Sequence, residues 1–172
     1  MGNINVGVIG TGFIGPAHIE ALRRLGTVNV VALADVDEQT ARAKAAALGV
    51  DRYYGDYKKM LADWDIEAVH ICTSNNLHYQ MSKEAIEAGK HVVCEKPLAI
   101  SAAEGDELVK LAAKSGCFMF GVGFESLSPQ VIKSVRKQRW NSLPAGTAQA
   151  NTIKTISAAL RNSVSRLNKS SG

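Results

Sequence analysis

Three observations predict a doubly wound parallel α/β sheet for this chain. Continuous apolar runs rich in β-branched residues alternate with amphipathic segments of helical period, the pattern of buried parallel strands joined by crossover helices. The first run feeds directly into a glycine-rich turn, Gly10-Thr11-Gly12-Phe13-Ile14-Gly15. A carboxylate, Asp35, closes the second run twenty residues beyond Gly15.

Taken in order, strands are expected at Val6–Ile9, Val28–Ala34, Ala68–Thr73, His91–Cys94 and Cys117–Val122. Helices are expected between them at Phe13–Leu25, Glu38–Leu48, Tyr57–Ala62, Tyr79–Ala88 and Ala102–Ser115. In the last of these, Leu108, Leu111 and Ala112 recur at helical spacing. Gly26, Gly49, Gly89 and Gly116 each stand just past a periodic segment, where a left-handed residue ends a helix. Asp37 reads as the N-cap of the second helix.

A G-x-G-x-x-G turn between a strand and a helix, with an acid at the end of the next strand, is the fingerprint of a dinucleotide-binding Rossmann fold. Gly10 permits the tight turn off the strand, Gly12 lets the backbone approach a pyrophosphate, and Gly15 lets the helix pack on the sheet. Thr11, Phe13 and Ile14 complete the loop. The helix N-terminus adds free N–H groups and the positive end of its dipole. Asp35 can accept hydrogen bonds from the hydroxyls of the adenine ribose and would repel a 2′-phosphate. Val36-Asp37-Glu38 follows it with no arginine. NAD is therefore favoured over NADP.

A length of 172 residues suits one domain with a sizeable core, or one domain and the remnant of another. No secretory pattern and no apolar run of membrane-span length is present, so a cytoplasmic protein without membrane contact is expected. Cys72, Cys94 and Cys117 lie far apart in apolar runs, with no C-x-x-C and no Cys/His cluster. They indicate neither a metal site nor a disulfide framework and read as small core residues of a reducing compartment. Charge divides the chain. Residues 1–124 carry 12 Lys and Arg against 15 Asp and Glu, a net −3, whereas residues 125–172 carry 8 against 1, a net +7. The second segment is rich in Ser, Asn and Thr and has little apolar period. Short helices at Val131–Val135 and Ile153–Leu160 are the most it suggests, and the rest reads as a short irregular tail.

Two strand ends carry polar clusters where an open α/β sheet binds ligands. After Val69-His70-Ile71-Cys72 come Thr73, Asn75, Asn76 and His78, expected at the edge of the crevice. An ordinary turn fits them as well, with Ser74, Asn75 or Asn76 capping the next helix and His78 in its first turn. After Val92-Val93-Cys94 come Glu95-Lys96-Pro97. Pro97 disfavours helix at Lys96. A lysine over a nicotinamide crevice could orient a hydroxyl and share in its proton transfer. A surface lysine paired with Glu95 is the plainer alternative.

Three features in order, Gly10–Gly15 with His18, Thr73-Ser74-Asn75-Asn76-Leu77-His78, and Glu95-Lys96-Pro97-Leu98-Ala99, resemble the N-terminal domain of the Gfo/Idh/MocA oxidoreductases. The resemblance spans residues 4 to 124. It implies that Thr73, Asn75 and His78 lie on the nicotinamide side, and that Glu95 and Lys96 lie at the reaction centre with Lys96 as the catalytic lysine. It also implies NAD(P)-dependent oxidation of a sugar or polyol hydroxyl, or reduction of the corresponding ketone. The family continues into a large substrate domain that contributes an Asp and a His. After Phe124 this chain has one acid, Glu125, and no histidine. A truncated form that keeps the cofactor half is therefore expected, residues 1–124 being the dinucleotide-binding domain and 125–172 a basic tail. Loss of acids and of periodicity at one point is also what an out-of-frame reading of a longer gene gives. A non-enzymatic NAD-binding module or partner subunit is the alternative function. Nucleic-acid binding ranks last, because Trp140 is the tail's only aromatic residue and supplies no stacking platform.

Overall fold

A computed structural model describes residues 3–117 and 119–122, which fall in one unit ending at Val122. The tail, with its two expected short helices, lies outside the described residues. The first apolar run forms β1 (Ile4–Ile9), and the strands β2 (Val28–Ala34), β4 (Ala68–Ile71), β5 (His91–Glu95) and β6 (Met119–Val122) follow at the expected places. Between them lie α1 (Gly15–Arg23), α2 (Glu38–Leu48), α3 (Tyr57–Leu61), α4 (Asn75–Glu87) and α5 (Ala102–Ser115). One element was not expected, β3 (Arg52–Tyr54). It is three residues long, too short to show a period, and it exists by pairing with β2 from Ala32↔Arg52 to Ala34↔Tyr54. Its side chains secure it: Arg52 pairs with Asp63 at 2.8 Å and with Asp65, and the Tyr54 hydroxyl donates to Asp63.

The six strands run in the order β3-β2-β1-β4-β5-β6, and every pairing is parallel. Strand order therefore reverses between β1 and β4, which opens a crevice at their carboxyl ends. Right-handed crossovers in the two directions put α1 and α2 on one face and α4 and α5 on the other. Ile9, Ile71, Cys94 and Ala34 share the face covered by Met81, Ala85, Ile86 and Leu108. Val8 and Val93 flank His70 in register on the face toward α1. With apolar residues pointing both ways, the strands carry continuous rather than alternating hydrophobicity.

Helix ends follow local chemistry. The Asp37 side chain accepts the Thr40 N–H at 2.7 Å and caps α2, as expected of that residue. The Ser101 hydroxyl accepts the Glu104 N–H at the start of α5. Gly26, Gly49, Gly89 and Gly116 all adopt left-handed backbone past their helices. The α4 boundary differs from expectation. The helix begins at Asn75 with Ser74 as its N-cap, four residues before Tyr79, because the polar residues Ser74, Asn75 and Asn76, with Leu77, form its exposed start. Cys72 and Cys94 are buried, and burial raises both thiols, Cys94 to about 11. Cys117 is only half-buried, since it lies in the link before β6 rather than within the strand. No helix among the described residues is long and apolar enough to cross a membrane.

Candidate functional site

The glycine turn sits at the carboxyl end of β1, and its three glycines are held to that identity by different things. Gly10 has φ +85°, and a Cβ there would lie 2.8 Å from Thr73 Cγ2 and 3.0 Å from the Cys72 carbonyl. A Cβ on Gly15 would collide with the carbonyl oxygen of Gly10. Gly12 is the exception. It is exposed, and a Cβ there would meet nothing within 4 Å. The fold demands glycine at 10 and 15 and is indifferent at 12, so space is left where a ligand's phosphates would approach. Helix α1 then starts with no side-chain cap and no acid in its first turn, leaving backbone donors and the dipole's positive end toward that space.

Thr11 is fully buried and binds Asp35 twice, its N–H donating to Oδ2 at 3.0 Å and its hydroxyl donating to the same oxygen. The Val36 N–H donates to Oδ1 at 2.8 Å. Burial works to raise the Asp35 carboxyl, but the bonds from Thr11 and Val36 outweigh it and hold the group below the usual carboxylate range. A carboxylate offers about four acceptor positions. Three are filled, which leaves one open. Phe13 and Val36, flanking the turn, are 100% and 82% exposed.

Thr73 is half-buried against Gly10, and Asn75 is exposed in the first turn of α4. His78 corrects the expectation that it stands at the crevice edge. It is fully buried, with Nδ1 2.7 Å from the Pro97 carbonyl oxygen and Nε2 3.0 Å from that of Thr73. One turn into an amphipathic helix, position 78 points to the sheet; the ring reaches the crevice only through the backbone it holds.

Lys96 follows β5, with an exposed side chain. The ion pair with Glu95 that the plainer reading supposed is not formed among the described residues: the Glu95 Oε2 accepts only the Lys96 backbone N–H, at 3.3 Å. Glu95 Oε1 instead lies 2.9 Å from Nε2 of His18, whose Nδ1 lies 2.9 Å from Nδ1 of His70. A carboxylate can only accept, so His18 carries hydrogen on Nε2. Burial, with His18 nearby, pushes His70 down to about 3, so it is neutral at physiological pH. Sequence reading missed this chain of groups. Its one visible signal is a histidine in the middle of an apolar strand, Val69-His70-Ile71.

The site thus joins an uncapped helix start, a half-buried carboxylate with one acceptor position open, and an exposed amine at the next strand ends. Those features fit a nicotinamide dinucleotide. Over residues 4–124 the chain matches the oxidoreductase family with an NAD-binding Rossmann fold. It is 32% identical over 134 residues to a myo-inositol 2-dehydrogenase of Thermotoga maritima, covering 78% of this chain and 40% of that protein. Among solved structures it is similar to a levoglucosan dehydrogenase in complex with NADH and levoglucosan, at 31% identity and TM-score 0.66, covering 69% of this chain and 34% of that one. It is also similar to a biliverdin reductase from Synechocystis in complex with biliverdin and NADP+, at 31% identity and TM-score 0.68, covering 78% and 42%. The chain spans about two fifths of the length of the curated relative. Turn, strand order and sequence match agree: the chain belongs to the Gfo/Idh/MocA oxidoreductases, through their nucleotide-binding Rossmann domain.

Proposed function

We propose that residues 1–124 bind NAD(H) across the carboxyl ends of β1, β2, β4 and β5, as the cofactor half of a sugar or polyol dehydrogenase. The observation that carries this reading is Gly12, the one glycine of the turn that no protein contact requires. Bound there, the nicotinamide supplies the hydride acceptor or donor for a secondary alcohol and its ketone. Gly10–Gly15 and the first turn of α1 hold the pyrophosphate, Asp35 takes the adenine ribose, and Thr73, Asn75 and the backbone held by His78 border the nicotinamide. Lys96, with Glu95 behind it, faces the hydroxyl of the substrate and handles its proton. The inositol and levoglucosan dehydrogenases among its relatives support a small polyhydroxylated substrate.

The preference for NAD over NADP rests on Asp35, whose lowered pKa keeps it charged where a 2′-phosphate would lie. Calorimetric titration of the full chain with NADH and NADPH is expected to show tighter NADH binding. In Asp35→Ala the loss of a hydrogen bond to a charged group, about 1.5–3 kcal/mol, should weaken NADH by about tenfold or more and narrow the preference. NADPH binding as tight as NADH in the unaltered chain would overturn the assignment. Assays of NADH formation across inositols and hexoses, run with a substrate domain restored to this cofactor half, then separate the enzyme from a cofactor-binding module: binding with no turnover of any of them would favour the module.

A further inference from the structure

Two histidines grip the segment Glu95-Lys96-Pro97, one from each face of the sheet. On the α1 face, Nε2–H of His18 donates to Glu95 Oε1 at 2.9 Å, and Glu95 Oε2 accepts the N–H of Lys96. His18 is itself fixed from behind by His70, ring against ring at 5.2 Å and 79°, with the two Nδ1 atoms 2.9 Å apart. On the α4 face, His78 Nδ1–H donates to the Pro97 carbonyl at 2.7 Å, and the same ring borders the Thr73 carbonyl. The side chains of His18 and Glu95 are only 14% and 17% exposed, so these contacts compete weakly with water. Lys96, between the two grips, is exposed.

We propose that His18 and His78 are positioning residues for Lys96, setting its backbone through Glu95 on one side and through Pro97 on the other. The inference rests on the reading that Lys96 borders bound nicotinamide. Neither histidine touches the cofactor; each acts through the residue it holds. Positioning of this kind matters because a small displacement of a reacting group costs a large factor in rate.

Amide side chains can test each grip separately. Glutamine places its amide nitrogen near the Nε2 position of histidine, and asparagine places its own near Nδ1. His18→Gln therefore keeps a donor to Glu95, and His18→Asn does not. At position 78 the order inverts: His78→Asn keeps the donor to Pro97, and His78→Gln does not. The readout is acetylation of the Lys96 amine by acetic anhydride, followed by mass spectrometry of the full chain with and without saturating NADH. Exposed lysines such as Lys58 serve as internal controls, and NADH affinity is measured in parallel.

In the unaltered chain NADH should slow Lys96 acetylation by about tenfold, the factor that one lost hydrogen bond of ordinary strength represents. His18→Gln and His78→Asn should retain that protection. His18→Asn and His78→Gln should lose most of it. General destabilisation cannot produce this crossed order, because it would rank the variants by stability rather than by which nitrogen is replaced. Protection that survives in His18→Asn and His78→Gln overturns the positioning role and leaves the reading of Lys96 intact. Absence of protection in the unaltered chain, with NADH bound, removes Lys96 from the nicotinamide and both ideas fall together. If one variant at a position does not fold, the pair at the other position still decides the result for its own grip.

Discussion

Gly12→Ala is expected to abolish tight dinucleotide binding without loss of stability, whereas Gly15→Ala is expected to damage the fold. The two glycines are three residues apart in one turn, and their surroundings differ. At position 12 the backbone angle is one that any residue adopts, and an added methyl group meets no protein atom. Such a substitution can even stabilise, by about 0.4–1 kcal/mol, through lower entropy of the unfolded chain. The same methyl group stands where phosphates would approach, and NADH affinity should fall by more than about tenfold. At position 15 the methyl group meets the carbonyl oxygen of Gly10, which is backbone and cannot rotate away. Overpacking costs about 1–3 kcal/mol where side chains can yield. Here the upper end or beyond is expected, a drop on the order of 10 °C in Tm. Thermal denaturation and NADH titration of both variants check this. Equal loss of stability in the two would mean that position 12 is also packed by the protein, and would remove the main support for a ligand in the turn.

The second large effect is acid sensitivity that comes from His70. Burial pushes this imidazole from its ordinary value to about 3, with His18 adding to the shift. The unfolded chain therefore binds a proton on His70 that the folded chain refuses. The contribution to stability is complete above about pH 6.5 and is lost as pH falls toward 3, at up to about 1.4 kcal/mol per unit. His91 is lowered in the same direction, also by burial. Carboxylates such as Asp35, held low in the fold, make their own losses only at more acid pH. The window between pH 6.5 and about 5 thus isolates the imidazoles, because Glu84 and Glu107, also held low in the fold, begin their losses below it. His70→Asn removes the titrating ring and keeps a short amide that can reach His18. Urea unfolding at pH 7.5, 6 and 5 should show a shallower acid loss in His70→Asn, by about one proton's worth of slope. Identical slopes in variant and parent would mean that His70 is protonated in the folded chain.

Most of the architecture could be read directly from residue order. Apolar runs, helical periods and terminal glycines report on local backbone and on which residues meet water, and these are properties of neighbours in sequence. The glycine turn and Asp35 were legible for the same reason, since a strand, a turn and a helix in series bring them to one edge of any doubly wound sheet. β3 was not, because three residues carry no period and its existence depends on the exposed edge of β2. Lys96 was singled out by resemblance to a family; its residues alone allowed a surface ion pair that does not form among the described residues.

The sequence by itself determined the fold class, the edge at which the site lies and the chemical character of the groups there. Tertiary structure alone decided which groups hold one another. His18, His70 and Glu95 come from α1, β4 and β5, and the contacts joining them span 52 and 77 residues. His78 looked like a side chain at the crevice and is instead buried under it. The physical reason is common to both. Strand register and the hand of the crossovers set which side chains meet across the sheet, and no local periodicity encodes those two quantities.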